Sequence, residues 1–237
     1  MSGEPPVADW LLRGTREALD RQAAEAIGAE LAEVATERGR AVLGVVGGRS
    51  VAGVFEHLAA LELPWRKIHI VMADERMCDL DSTESNWQVV EPTLVRPLLQ
   101  SGRLLPEHTH PFVWDPEAED GGVARYSRQF AAIGGRIDVA VLSAGEDGHT
   151  ASLFPHHASI RTTGVPYLLV EEAPKPPTRR LSASRSLLEG ARLAALMVYG
   201  EGKNDALEML EDPERTLLDC PSKLVLNSRR GLAFTDL

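Results

Sequence analysis

The stretch 143–157 reads SAGEDGHTASLFPHH, and it places acids, hydroxyls and histidines among glycines directly after the apolar run 137–142. His149 is its main catalytic candidate, because Asp147 and Thr150 stand beside it. A neutral imidazole with a pKa of about 7 takes a proton from water and returns it to a leaving oxygen, which typically accelerates a reaction about 10²–10⁴-fold. We predict that His149 is a general base and that Asp147 orients its ring or a substrate hydroxyl.

We also expect a helix to begin at His149, with an N-terminus that disfavours the protonated imidazole and so keeps the base available. Two other readings of the stretch have less support. A zinc site of His149, His156 and His157 lacks the spacing of zinc motifs, and Ser152 lacks the GxSxG context of a nucleophilic serine. A water nucleophile activated by His149 fits the residues better than either.

Polar clusters of this kind follow four short apolar runs. The runs are 41–46, 68–73, 137–142 and 193–200, and the candidate ligand-binding residues after them are Gly47, Gly48, Ser50, Asp74, Arg76, Gly145 and Lys203. Apolar runs without polar alternation are typical of buried strands, and helical patterns between them favour a mostly parallel sheet covered by helices. Ligands bind at the carboxyl edge of such sheets, so four separate regions of the sequence predict one pocket.

Helical patterns separate these runs, and they lie at 9–39, 50–61, 86–99 and 203–212. Their apolar residues recur at the three- and four-residue spacing of one helix face. The segment 104–122 reads as a loop, and the proline-rich 173–180 as a connector that ends in Arg180. Because no repeat or linker interrupts this alternation, we predict an α/β fold in one domain, 1–237.

Several groups in the clusters suit a phosphate. The glycine turn 47–48 allows close backbone approach, the helix start after it offers free N–H groups, and Ser50 adds a hydroxyl. The loop N–H groups around Gly47, Gly48 and Gly145 are candidates for binding either the phosphate or a developing oxyanion, and the sequence does not decide between the two. Paired glycines alone, however, often make only a tight turn. Arg76 and Arg180 carry planar donor forks and Lys203 a point charge. Arginine is more often a solvated surface residue, so the predicted position at the pocket is what favours phosphate binding.

Asp74 and Glu75 follow a predicted buried strand and are candidate acid-base groups, or partners that orient Arg76. A magnesium site is the weakest reading, because no further spaced ligands accompany the pair. Asp74 is also a candidate contact for sugar hydroxyls. Ser85 and Asn86 stand before the third helical pattern, so they are candidates both for substrate binding and for helix capping.

The chain of 237 residues has 25 basic and 35 acidic side chains, a net charge of −10. This charge repels nucleic acids and anionic membranes, so we expect neither as a partner, although a local basic pocket can still capture a small anion. The sequence has no signal-peptide pattern and no run of about 18 apolar residues, so we expect a cytoplasmic protein. Cys78 and Cys220 lie outside any CxxC motif and are expected to be free thiols. We expect a monomer without a bound metal.

Four segments resemble motifs of the 6-phosphogluconolactonases, in the order that this family has. They are DER at 74–76 with Ser85 and Asn86 after it, AGEDGHTASLFP at 144–155, PPTRRLSAS at 176–184 and VYGEGKNDAL at 198–207. The resemblance implies hydrolysis of 6-phosphoglucono-δ-lactone to 6-phosphogluconate in the oxidative pentose phosphate pathway, without a cofactor. It also implies the Rossmann-like fold shared with glucosamine-6-phosphate deaminases, ribose-5-phosphate isomerases and coenzyme A transferases.

Three positions qualify this resemblance. The deaminases carry an acidic residue where this chain has Phe154, and an apolar side chain cannot assist ring opening, so lactone hydrolysis is favoured over isomerisation or deamination. Ser143 replaces a common glycine, and Arg49 has no family role: it either joins the phosphate site or faces solvent. A non-catalytic sugar-phosphate sensor is the other rival, but such regulators normally carry a DNA-binding region, and no basic helix-turn-helix segment is visible.

Overall fold

The computed structural model describes residues 10–237. Its strands are β1 Leu11–Arg13, β2 Ala41–Val45, β3 Ile68–Met72, β4 Asp74–Arg76, β5 Thr109–His110, β6 Val139–Ser143, β7 Tyr167–Val170, β8 Arg180–Ala183, β9 Leu193–Val198 and β10 Arg230–Thr235. Seven of them form a central sheet in the order β1-β10-β9-β6-β2-β3-β5, in which every neighbouring pair is parallel. The predicted mostly parallel sheet is therefore confirmed.

The helices that flank this sheet are α1 Arg16–Arg38, α2 Ala52–Ala60, α3 Trp87–Val90, α4 Arg96–Gln100, α5 Val123–Ala132, α6 Arg185–Glu189 and α7 Asn204–Glu211. A π-helical turn, Glu91–Val95, joins α3 to α4 and contains a proline. The helices predicted at 50–61, 86–99 and 203–212 are thus confirmed, with small shifts at their ends. Together with the sheet they give the predicted α/β fold.

The four predicted strands form the interior of the sheet. All residues of β2 and β9 are buried, which explains why their sequences show no polar alternation. The strand predicted at 137–142 begins later, at Val139, and the Asp138 side chain just before it accepts a hydrogen bond from the N–H of Val42 at 2.9 Å. Asp138 therefore lies at the amino edge of the sheet and joins β6 to β2 there.

The helix predicted at 9–39 is wrong at its start. Residues 11–12 belong to β1, which pairs with β10 so that Leu11 lies opposite Ala233, and α1 begins only at Arg16. Asp9 lies outside the described residues. The apolar side chains of residues 11–12 fit a helical pattern, but their actual partners lie at the other end of the chain, where periodicity cannot reveal them.

A second sheet was not predicted. It has three antiparallel strands in the order β4-β8-β7, so the carboxyl end of the predicted connector 173–180 is a strand. The predicted loop 104–122 likewise contains β5. Both strands are short, which leaves too few residues for a recognisable pattern. The second sheet matters for the site because it fixes Asp74 and Arg180 on neighbouring strands.

Two expectations concern the whole chain. Within residues 10–237, no helix combines the length and the apolarity that a membrane crossing needs. Cys78 is partly buried and Cys220 fully buried, and both are free thiols as predicted.

Tyr126 connects α5 to the carboxyl end of β3. Strand β5 pairs with only two residues of β3 and ends at His110, so it leaves the N–H of Met72 without a strand partner on that side. The Tyr126 hydroxyl accepts this N–H at 2.7 Å and donates to the His110 carbonyl at 2.8 Å. Because a buried N–H without an acceptor is costly, this contact stabilises the end of β3 just before Asp74.

We predict that Tyr126→Phe lowers the free energy of unfolding by about 1–3 kcal/mol, because it leaves the Met72 N–H unpaired in the interior. Urea-induced unfolding followed by circular dichroism measures the change. Gln129→Ala, on the exposed face of the same helix, is the matched control and should change stability little. Equal stability of Tyr126→Phe and the control would contradict the role given to the hydroxyl.

Candidate active site

The loops after β2, β6 and β9 meet at the carboxyl edge of the sheet, since these strands are neighbours. They form a cleft of about 450 Å³, here called the Lys203 cleft, lined by Arg16, Gly48, Arg49, Ser50, Ser143, Glu146, Tyr199, Gly200, Glu201, Gly202 and Lys203. The predicted convergence of separate sequence regions on one pocket is confirmed for these three loops. Arg49, which had two readings, lines the cleft.

Lys203 and Ser50 are in direct contact within the Lys203 cleft. The Lys203 ammonium donates to the Ser50 hydroxyl at 2.9 Å. Burial and the nearby charge of Arg16 lower the pKa of Lys203 to about 8, although Glu146 opposes the shift. Three cations, Arg16, Arg49 and Lys203, line the cleft against two carboxylates, Glu146 and Glu201, and this excess of positive charge favours an anionic ligand.

His149 lies on the loop after β6, and its Nδ1 is hydrogen-bonded to the Asp147 carboxylate. Burial raises the pKa of Asp147, but the hydrogen bond and the charge of His149 outweigh it and lower the value to about 2. Asp147 is therefore ionised at neutral pH and accepts the Nδ1 proton, which leaves Nε2 of the neutral ring as a proton acceptor. This is the arrangement that a histidine base requires.

The helix expected to begin at His149 does not form, so the predicted effect of its N-terminus is wrong. Thr150 makes isolated β-bridges instead, and Ala151 has a φ of 49°, outside the right-handed helical region. The His149 carbonyl accepts hydrogen bonds from the Gly145 N–H at 2.7 Å and from the Ser222 hydroxyl at 3.1 Å. His149 is therefore positioned by hydrogen bonds within its loop and to the distant residue Ser222, and not by a helix.

Gly145 provides the space for the His149 ring. A Cβ at this position would lie 2.1 Å from two ring atoms of His149 and 2.8 Å from Oδ1 of Asp147. Any other residue would displace the pair, so the glycine is required by close packing. The substrate-binding role predicted for Gly145 stays a prediction.

Phe154 contacts both His149 and Arg180. Its ring centroid lies 4.7 Å from that of His149 and 5.4 Å from the guanidinium carbon of Arg180. Arg180 also donates from Nε to the Pro177 carbonyl at 2.9 Å and from Nη2 to the Lys175 carbonyl at 2.8 Å. The proline-rich segment thus holds Arg180 near the catalytic loop, and Arg180 does not line the Lys203 cleft.

Arg76 and Arg180 lie directly opposite each other in the β4–β8 pair. Like charges at such positions are unfavourable unless an anion lies between them. Burial lowers the pKa of Arg180; the charge of Asp74 opposes the shift, the charge of Arg76 adds to it, and Glu84 and Asp147 oppose it further. Nε of Arg76 is buried and has no hydrogen-bond partner among residues 10–237. The pair therefore forms a second cationic group, beside His149.

Asp74 is the centre of a buried hydrogen-bond network. Its Oδ1 accepts from the Asn86 amide at 2.9 Å and its Oδ2 from the Ser152 hydroxyl at 3.0 Å. Ser152 lies on the His149 loop, and Asn86 packs against Gly47, where a Cβ would be 2.6 Å from the Asn86 Cα. The network joins the β2 loop, β4 and the catalytic loop. Contacts of Asp74 and Asn86 with substrate stay predictions.

Glu75 stabilises the start of α3. Its oxygens accept hydrogen bonds from the N–H groups of Arg76, Asn86 and Trp87 and from the Ser85 hydroxyl. Burial raises its pKa to about 7 in spite of these bonds. Ser85 also caps α3 by accepting the Trp87 N–H at 3.1 Å, whereas the Asn86 side chain makes no capping bond. Sequence reasoning missed this role of Glu75 because the bonds are local to a turn without a regular pattern.

Comparison with known proteins gives consistent results. The family model described as glucosamine-6-phosphate isomerases/6-phosphogluconolactonase matches residues 14–234. A 6-phosphogluconolactonase of Rhizobium meliloti is 32% identical over 82% of this chain and 83% of its own length, and one of Pseudomonas putida is 33% identical over 78% of each. The crystal structure of a 6-phosphogluconolactonase from Shewanella baltica has a TM-score of 0.84 and 25% identity, over 97% of this chain and 98% of that one.

We predict that Glu75→Gln changes how stability depends on pH. Because the folded-state pKa of Glu75 lies above the ordinary value of 4.5 for a glutamate, its contribution to stability is complete below about pH 4.5 and is lost as the pH rises through about 7. That loss amounts to up to about 3 kcal/mol and should be absent from the variant. Urea-induced unfolding between about pH 5 and 8 measures it, and the exposed Glu84→Gln is the control. Parallel pH profiles for wild type and Glu75→Gln would contradict the burial argument.

Proposed function

The chain belongs to the glucosamine-6-phosphate isomerase/6-phosphogluconolactonase family, and on this basis we propose that it hydrolyses 6-phosphoglucono-δ-lactone to 6-phosphogluconate with His149 as the general base. This is the second step of the oxidative pentose phosphate pathway. The observation that carries the proposal is the Asp147–His149 hydrogen bond at the edge of a sheet whose neighbouring loops form a cationic cleft.

The reaction needs one base and a positioned water. Asp147 holds the Nδ1 proton of His149, so Nε2 takes a proton from water as the oxygen attacks the lactone carbonyl. The tetrahedral intermediate then collapses by breaking the bond to the ring oxygen, which receives the proton back from His149. A δ-lactone is already a reactive ester, so positioning and charge stabilisation suffice without a covalent intermediate or a cofactor.

The two cationic groups have different tasks in this proposal. Lys203 and Ser50, with the backbone of Gly48, bind the phosphate in the Lys203 cleft, whereas Gly47 lies outside its lining and packs against Asn86. Arg180, which the sequence assigned to the phosphate, contacts the Phe154 ring that also packs against His149, so we assign it instead to the reacting end of the substrate. There its charge, with that of Arg76 opposite, stabilises the negative oxygen that develops on the carbonyl.

Aldose-ketose isomerisation and deamination are the nearest alternatives, since the family name includes isomerases. They need an acid or base that shuttles protons along the open sugar chain, and Phe154 occupies that position here as a fully buried ring against His149. A non-catalytic sugar-phosphate sensor would bind in the same cleft without turnover. An assay for ketose formation and the lactonase assay below distinguish the three.

We propose further that 1–237 is one domain and acts as a cytoplasmic monomer. Strands β1 and β10 are neighbours, so both ends of the described chain belong to one sheet. Free thiols at Cys78 and Cys220 suit a reducing compartment. The large apolar side chains that are exposed in the described part, Val113, Val165 and Leu226, are few. Light scattering that gives twice the chain mass would exclude the monomer.

Replacement of His149 by alanine should lower turnover by about 10²–10⁴-fold and leave 6-phosphogluconate binding largely intact, because the ring acts on water and not on the phosphate. The lactone is generated in place by glucose-6-phosphate dehydrogenase, and its loss is compared with spontaneous hydrolysis. His156→Ala, which removes a neighbouring exposed histidine, is the control. If His149→Ala retains wild-type turnover, the base assignment is wrong; if the folded wild type gives no acceleration, the lactonase proposal is wrong.

The affinity for 6-phosphogluconate should fall as the pH rises through about 8, because Lys203 loses the charge that pairs with the phosphate. The phosphate itself is already dianionic above its own pKa of about 6, so it does not obscure the change. Isothermal titration calorimetry between about pH 7 and 9.5 measures the dissociation constant. Lys203→Arg keeps its charge and should remove the fall, whereas the exposed Lys67→Arg should retain it. A wild-type affinity that is constant over this range would contradict the prediction.

A further inference from the structure

We propose that Arg16 is a phosphate-binding residue of the Lys203 cleft and sets its preference for phosphorylated over unphosphorylated ligands. The inference rests on the proposed function, which it deepens. Arg16 lies outside the four family motifs of the sequence, and the apolar periodicity placed it inside the helix predicted at 9–39. Its place in the site follows from the structure alone.

Arg16 lies at the ligand-binding edge of the central sheet. Strand β1 runs parallel to β10, so its carboxyl end lies at the same edge of the sheet as the ligand-binding loops. Arg16 follows this strand after a two-residue turn, as the first residue of α1. Its side chain lines the Lys203 cleft with Ser50, Arg49 and Lys203.

Three neighbouring groups fix the position of the Arg16 side chain. The Arg16 guanidinium carbon lies 4.9 Å from the centre of the Tyr199 ring, and Nη2 donates to the Arg49 carbonyl. Nε is 3.8 Å from Oδ2 of Asp20, a carboxylate that is itself buried. The aromatic face, the carbonyl and the carboxylate fix the position of the group from three sides. The side chain remains 41% exposed, so it is accessible to a ligand.

The charge of Arg16 acts on Lys203 in the same cleft. Arg16 is the largest electrostatic contributor, after burial, to the lowered pKa of Lys203, and Arg49 acts in the same direction. A cation in the first turn of a helix is also unfavourable with respect to the helix dipole. The remaining N–H groups of Arg16 have no acceptor among residues 10–237. A bound phosphate dianion would relieve the repulsion and accept these donors in the planar geometry that arginine offers.

Asp20 is then a positioning residue, which acts through Arg16. It lies one turn along α1, and a Cβ on Gly53 would be 2.2 Å from its Oδ2, so it is packed tightly beneath α2. Asp20→Asn should keep the shape and remove the charge that orients Nε of Arg16. It should therefore weaken phosphate binding less than the loss of Arg16 itself does.

The test compares Arg16→Ala and Arg16→Lys with Arg21→Ala, which removes an exposed arginine from the same helix. Calorimetry measures the binding of inorganic phosphate and 6-phosphogluconate, and steady-state assays compare the lactone with unphosphorylated glucono-δ-lactone. Arg16→Ala should weaken phosphate and 6-phosphogluconate binding by about 10- to 100-fold and raise KM for the phosphorylated lactone, with little change in kcat. Arg16→Lys should recover part of the loss, and both variants should treat the unphosphorylated lactone as the wild type does.

The inference is overturned if Arg16→Ala binds both phosphate probes as tightly as Arg21→Ala does, or if it loses activity equally on both lactones. Direct binding separates this outcome from failure of the proposed function. A wild type that binds the probes through Arg16 but hydrolyses neither lactone would support the inference and refute the lactonase activity. If the wild type hydrolyses the phosphorylated lactone and Arg16→Ala does so equally well, the lactonase activity is supported and the inference is refuted. Thermal unfolding confirms that each variant is folded.

Discussion

All seven strands of the central sheet run in the same direction, and the Lys203 cleft depends on this. In a parallel sheet each strand returns through a crossover, so the loops that follow the strands collect at one edge. Ser50 after β2, Glu146 after β6, Lys203 after β9 and Arg16 after β1 meet there for this reason. An antiparallel neighbour would have carried its loop to the opposite edge.

Two buried carboxylates, Asp74 and Glu75, fix the segments around the catalytic loop by hydrogen bonds. Asp74 connects Asn86 to Ser152, and so the second sheet to the loop of His149. Glu75 gathers the backbone at the start of α3 and keeps a raised pKa as the consequence of its burial. A network of this kind is rigid because each group that left it would lose its only partners in a medium of low dielectric constant. Rigid support allows the catalytic loop to do without a helix.

The local charge at the carboxyl edge of the sheet is opposite in sign to the net charge of the chain. The net charge is −10, yet lysine and arginine side chains gather at the carboxyl edge. One cationic group lines the Lys203 cleft, and the other, Arg76 and Arg180, lies beside His149. In the proposed reaction the first group binds the phosphate of the substrate and the second stabilises its reacting carbonyl. Binding energy from the phosphate then positions a carbonyl that needs only a base, a water and a stabilised oxygen.

The sequence by itself determined four of the five interior strands, β2, β3, β6 and β9, with most helices and the convergence of the glycine-rich loops, and it named the His149 ring as one of two candidate partners of Asp147. These features depend on local periodicity or on neighbours in the chain, which a sequence displays directly. Only the tertiary structure decided that residues 11–12 form a strand, that Arg16 lines the cleft and that Arg180 lies near His149. Each of these depends on a partner far away in the chain, such as Ala233 for Leu11 or Phe154 for Arg180. Strand pairing and side-chain packing select such partners, and neither leaves a periodic trace in the sequence.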